Sequence, residues 1–309
     1  MRQRTIGRDN ELMVRMLVVG ALLLALYTFF AFVLFAIGLN FIFIIIVAAI
    51  MLLIQYFASD KLVLASMRAK TVKPEDGPDA RKLHGIVERL AIQAGLPKPK
   101  IAIANMAIPN AFATGRNPKN AVVAVTTGIM GRLNDEELTG VLGHELSHIK
   151  NRDVTVMTIA SFFAMIAAFI VNNFLLILLF GGGGFGRGRN SGIQYLFLVY
   201  FAAIIVYFLG TLLLRALGRY RELAADRSGA ILTGAPSQLM SALMKIQDSV
   251  RSGVYRIPEE DLRRAETGNA FFIIPALKGN SMAALFATHP PLEVRLERLR
   301  RMQREMERI

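Results

Sequence analysis

The 309-residue sequence has no cysteine. Disulfides and thiolate metal sites are therefore excluded, and any metal must be held by nitrogen and oxygen ligands. Histidine is scarce, with four in the whole chain. Charge is also sparse: 19% of residues are charged against 54% hydrophobic, and the mean hydropathy is +0.44. A chain so poor in charge is too apolar for a soluble globule and implies membrane spans. The charge that exists is basic, with a formal net of +13. No nucleic-acid-binding motif accompanies it, and the basic residues flank apolar runs, as the positive-inside rule expects. The expected partner is the lipid bilayer and not nucleic acid.

Four apolar runs stand out. Met16 to Ile37 and Phe41 to Phe57 are separated by Gly38-Leu39-Asn40, a turn-like break. Val154 to Phe180 and Ile193 to Leu214 are separated by the glycine-rich GGGGFGRGRNSG of residues 181–192. Each pair reads as a membrane hairpin, the second one spanning fully or embedded in one leaflet. The glycine loop lacks a Gly-Lys-Ser/Thr ending and follows no strand, so it reads as a flexible tip and not a phosphate cradle. Arg2, Arg4, Arg8 and Arg15 precede the first run, and Lys61, Arg68, Lys70 and Lys73 follow the second. Both ends of that hairpin are therefore expected on the cytoplasmic side. The first run is too long for a cleaved signal peptide.

Between the hairpins the chain changes character. Residues 78–94 carry Leu83, Ile86, Val87, Leu90 and Ala91 at helical spacing, with Gly95 where a C-cap belongs. Short apolar pieces at 100–105, 110–115 and 121–126, divided by turn residues, predict a small antiparallel sheet. Residues 236–250 and 291–309 read as helices, the second heavily charged and exposed. The expected domains are a hairpin at 1–60, half of a catalytic domain at 61–153, a second hairpin at 154–217 and the other half at 218–309.

Two of the four histidines fall within five residues, in VLGHELSHIKNRD at 141–153. Asn134 followed by Asp135, Glu136 and Glu137 is a capping box that starts a helix. On that helix His144 and His148 lie one turn apart and can grip one ion. Glu145 lies beside them, within reach of a water. This H-E-x-x-H pattern predicts one bound Zn²⁺, with Glu145 as general base for peptide hydrolysis. A catalytic zinc needs a third protein ligand, and the candidate is Glu222 in RELAADRSGA. Asp226, one turn on, is placed to hold the outer nitrogen of a ligand histidine. The chain leaves for the second hairpin directly after one metal helix and returns directly before the other. A solvated helix face with two acids balancing Arg221 and Arg227 is the plainer alternative.

These segments resemble the HtpX-like branch of the M48 metallopeptidases, the family that also contains the Ste24 CAAX proteases. GHELSHIKNRD is similar to its zinc helix, RELAADRSGA to its E-x-x-x-D element, PNAFATG (109–115) to a stretch before the zinc helix, and THPPLEVRLERL (288–299) to its C-terminal end. The resemblance implies a mainly α membrane protein with a zincin-like, gluzincin catalytic domain and two transmembrane hairpins. It implies a zinc endopeptidase acting on misfolded or membrane polypeptides in protein quality control and stress response, in a prokaryotic cytoplasmic membrane with the site facing the cytoplasm. It also implies that Asn110 lies on a strand edge along the substrate cleft and that His289 donates to the oxyanion. His84 has no motif partner.

Three rival readings are weaker. Charged residues bracket the histidines and the later runs hold no aspartate, which disfavours an intramembrane site-2-type protease. An intact ligand set with its base disfavours an inactive scaffold. A transporter would place ionisable groups within its spans.

Overall fold

A computed structural model describes residues 9–36, 41–175, 191–251, 260–261 and 289–308. The turn at 38–40, the glycine-rich tip up to Asn190, the basic residues before Asp9, most of 252–288 and Thr288 lie outside the described residues. The chain divides into two compact units. One comprises Met1–Leu12, Phe57–Thr155 and Gly218–Ile309, and the other comprises Met13–Tyr56 and Val156–Leu217.

The second unit is built from apolar helix. Helices α1 (Asn10–Ala36) and α6 (Asp153–Asn172) are long and apolar enough to cross a membrane. So is the Gln194–Thr233 stretch of α7 (Ser191–Thr233). The second apolar run lies in α2 (Phe41–Ser66), some of whose side chains lie outside the described residues. Phe29, Phe32 and Phe35 of α1 are each at least half exposed, as lipid-facing residues would be. Tyr27 is the exception: its hydroxyl donates to the Ala160 carbonyl at 2.7 Å, because a phenol in such surroundings needs a partner.

The first unit contains a four-stranded sheet of β1 (Ala69–Val72), β2 (Lys100–Ala104), β3 (Ala111–Thr114) and β4 (Val122–Thr126), in the order β1-β2-β4-β3. The sheet is mixed, which corrects the expectation of a purely antiparallel one. β1/β2 and β3/β4 are antiparallel, but the central pair β2/β4 is parallel. The reason lies in β4. All five of its residues are buried, as a central strand covered on both faces requires. Ile101, Val123 and Val125 face a core shared with Leu83, Leu90 and Leu142, while Ala102, Val122 and Ala124 face Val63, Met67 and Phe112. With β2 and β4 in the middle, β3 becomes one of the two edge strands.

Helix α3 (Pro78–Ala94) ends at Gly95 with φ 69°, a left-handed cap that glycine adopts without strain. A short α4 (Thr127–Met130) leads to α5 (Asp135–Lys150). Asn134 Oδ1 accepts from the Glu137 amide at 2.8 Å, and Glu137 Oε2 accepts from the Asn134 amide at 3.0 Å, so the capping box is formed. Helix α8 (Pro236–Arg251) crosses α5 where Gly140 meets the Leu239 backbone. Helix α9 (Leu292–Glu307) was expected to be an exposed, charged helix. It is amphipathic: Arg295, Leu296, Leu299 and Met302 are buried at helical spacing and its other faces carry the charge.

Candidate metal centre

Helix α5 is enclosed on nearly every side, and His144 and Glu145 are buried. The third group arrives on α7, beyond the apolar run that ends at Leu214. Glu222 and Asp226 are one turn apart there and both point at α5. Their approach depends on glycine: a Cβ on Gly229 would lie 2.8 Å from the His144 amide nitrogen, and one on Gly143 would lie 2.6 Å from Thr233 Cγ2. The bare helix surfaces at these two residues let the backbones close.

The ring nitrogens His144 Nε2 and His148 Nε2 are 3.1 Å apart. Glu222 completes the triangle, with Oε2 3.5 Å from His144 Nε2 and Oε1 3.4 Å from His148 Nε2. A tetrahedral ion bonded at about 2.0–2.1 Å holds its ligand atoms about 3.3 Å apart. The three side chains therefore fit around one divalent metal ion.

The outer nitrogens support this reading. His144 Nδ1 is 2.9 Å from Asp226 Oδ1, as the sequence suggested for Asp226. His148 Nδ1 is 2.6 Å from Asp153 Oδ2, a partner that sequence reasoning missed although it ends the quoted motif. Each carboxylate is clamped by an arginine. Arg295 grips Asp226 with Nε at 2.8 Å and a terminal nitrogen at 2.6 Å, a bidentate pair that is buried on both sides. Arg221 pairs with Asp153 and donates to the Asn151 carbonyl at 2.9 Å. A carboxylate oxygen within 3 Å of each Nδ1 favours the tautomers whose Nε2 lone pairs turn inward, where a metal would need them. Four carboxylates (Glu145, Asp153, Glu222, Asp226) against two guanidiniums leave a charge of −2 with neutral imidazoles, which one dication would balance.

With no ion bound, the cluster holds a proton in its place. Burial pulls the His144 imidazolium down, but the Asp226 and Glu222 carboxylates outweigh it and push its pKa up to about 10. The same field attracts any cation. Burial keeps His148 below its usual value. Burial pushes the Glu145 carboxyl up, against the pull of His144 and His148, and the Ala113 amide of β3 hydrogen-bonds to it.

The remaining expected residues are placed as follows. His289 is buried, with Nδ1 3.2 Å from Glu222 Oε2, and neither of its ring nitrogens makes a hydrogen bond among the described residues. Asn110 is fully buried one residue ahead of β3. Its amide donates to Thr126 Oγ1 and its carbonyl accepts from the Thr126 amide, both at 2.9 Å. Since 110 and 126 form a hydrogen-bonded pair, parity turns the backbone groups of Ala111 and Ala113 away from β4, to the outer side. His84 binds the Val72 carbonyl at 3.0 Å and takes no part in the cluster.

Known proteins show the same relationship. The chain is 56% identical over 306 residues to a "Protease HtpX homolog" of Moorella thermoacetica, covering 99% of each. It is 50% identical over 300 residues to "Protease HtpX homolog 2" of Methanosarcina acetivorans, covering 97% of this chain and 98% of the other. In fold it is similar to the crystal structure of Ste24p from S. mikatae, with a TM-score of 0.54 at 18% identity over 94% of this chain and 67% of that one. The sequence pattern of "Peptidase family M48" matches residues 78–303, a span that holds both metal helices and Arg295. The chain belongs to peptidase family M48.

Proposed function

We propose that the chain is a zinc-dependent endopeptidase of the gluzincin type, binding one Zn²⁺ through His144, His148 and Glu222. The observation that carries this reading is the triangle of facing ligand atoms, 3.1–3.5 Å on each side, with a carboxylate behind each imidazole. Zinc, when bound, would polarise the scissile carbonyl and acidify the attacking water. Glu145 takes the proton from that water and passes it to the leaving amine. Its raised pKa suits a group that must both accept and return a proton.

A substrate strand adds to the outer side of β3 through the backbone groups of Ala111 and the carbonyl of Ala113. Asn110 anchors the start of that edge against Thr126. Because the Ala113 amide touches Glu145, the strand that aligns the peptide also positions the base. His289 Nε2 is the donor to the developing oxyanion. The substrates are misfolded or membrane polypeptides, and the site faces the cytoplasm of a prokaryotic cell. Asp226 is buried and the Glu222 side chain is only 14% exposed, which disfavours the solvated-face alternative.

The test is metal analysis of the purified protein together with a peptide-cleavage assay on Glu145→Gln. Zinc should stay near one per chain while cleavage falls roughly 10²–10⁴-fold. A variant that cuts at the wild-type rate would remove Glu145 from the mechanism, and wild-type protein that takes up no zinc would remove the metal. Sidedness can be read in the cysteine-free background: Ser249→Cys should react with an impermeant thiol reagent only after lysis.

A further inference from the structure

We propose that Arg116, Lys119, Lys150 and Arg152 form a binding surface for anionic phospholipid headgroups beside β3. From Arg89 to Asn134 the sequence contains no acidic residue. Arg116 and Lys119 stand on the loop after β3, which is firmly built. Gly115 adopts φ 122° in a space where a Cβ would lie 2.5 Å from the Asn120 carbonyl, and Asn117 Oδ1 accepts from the Asn120 amide at 3.0 Å. Lys150 closes α5, and Arg152 follows in the left-handed region at φ 55°. The two segments meet, because Gly115, Asn117, Pro118, Arg152 and Thr155 line one small cleft.

Two features bear on what these cations hold, the first shared with other surface cations such as Lys70, Arg89 and Lys100 and the second their own. None of the four has a carboxylate partner among the described residues, whereas Lys82, Lys98, Arg221, Lys245, Arg295 and Arg298 each have one. They also stand where the chain passes into apolar helix. The Arg116 guanidinium lies 5.2 Å over the ring of Phe57, the last residue of the second apolar run. The Arg116 carbonyl accepts from Thr155 Oγ1 at 3.1 Å, one residue into the third run. A guanidinium stacked on an aromatic ring at such a boundary lies at headgroup depth. Phosphodiester oxygens match its donors, and each cation near an anionic surface contributes about 1 kcal/mol, or about fivefold in partition. An acidic substrate offers the same charge, but the stack on Phe57 holds Arg116 at the membrane boundary and not along β3.

The test uses the full-length protein in detergent, offered equal phosphatidylglycerol and phosphatidylcholine, with retained lipid counted by native mass spectrometry. Phosphatidylglycerol should be retained preferentially. Changing all four residues to glutamine should abolish the preference, and Arg116→Gln or Arg152→Gln alone should lower it about fivefold. Arg116→Lys with Arg152→Lys should keep most of it, which separates charge from fold. Equal retention of the two lipids overturns the proposal. So does displacement of phosphatidylglycerol by inorganic phosphate, which would mean a free-anion site. An unchanged lipid preference in the glutamine variants, with cleavage of acidic peptides lost, would assign the patch to substrate.

Discussion

His144 and His148 lie one turn apart on one helix, yet the carboxylates that hold them come from very different distances along the chain. His148 leans on Asp153, five residues away, and on Arg221. His144 leans on Asp226, 82 residues further on (226 − 144), and on Arg295 from the C-terminal helix. The His144 arm is the deeper, with side-chain exposures of 1–3% for His144, Asp226 and Arg295 against 9–15% for His148, Asp153 and Arg221. One arm has a local carboxylate and is partly wet, and the other is long-range throughout and dry. The metal helix can therefore form early from its own sequence, but the site is complete only after the last helix has docked.

Glu222→Ala should break both arms at their common point. Two imidazoles hold an ion poorly, so bound metal should be almost wholly lost, measured by atomic absorption on folded protein. Full metal content would send the third-ligand role to another acid.

Arg295→Met strikes the dry arm and strands the Asp226 charge in the interior. Breaking a buried pair from one side costs about 3–5 kcal/mol, which thermal unfolding of the metal-free protein would reveal. An unchanged melting temperature would mean that Asp226 does not need its clamp.

Asp153→Asn strikes the wetter arm. It keeps an acceptor for the His148 Nδ1–H but removes the charge. Metal affinity, read by chelator competition, should fall roughly 10–100-fold with little change in stability. A loss of stability matching that of Arg295→Met would erase the distinction between the arms.

The smallest effect probes the helix that both arms share. Burial raises the Glu137 carboxyl, but bonds from Lys245, Ser241 and the Asn134 amide outweigh it and hold the pKa below its usual value. A depressed carboxylate stabilises fully above the unfolded value of about 4.3, and the effect fades as pH falls through the folded one. Glu137→Gln should therefore melt below wild type at about pH 7, and the gap should narrow at about pH 3. A gap independent of pH would mean that Glu137 acts only through neutral hydrogen bonds.

What could be read from sequence follows the same division. Asn134, Glu137, His144, Glu145 and His148 belong to one helix, whose cap and period are local signals. Glu222 was legible because its own short motif carries it. Arg295 was not: on a helix this basic, one arginine looks like its neighbours, and only the apolar stripe of Leu296, Leu299 and Met302 marks the buried side. The parallel pairing of β2 with β4 was also hidden, since a run of five apolar residues does not name its neighbour. Ala113 carries no side-chain chemistry, and its contact with Glu145 depends only on strand parity.

Gly229 sets the tolerance of the whole centre. A methyl there would sit 2.8 Å from the His144 nitrogen, where ordinary contact begins at 3.4 Å, so the two helices would have to part by about 0.6 Å. Metal–ligand bonds accept errors of only about 0.2 Å. The space occupied by one hydrogen atom on α7 is thus the margin within which a helix arriving from 74 residues away can still share an ion with His148.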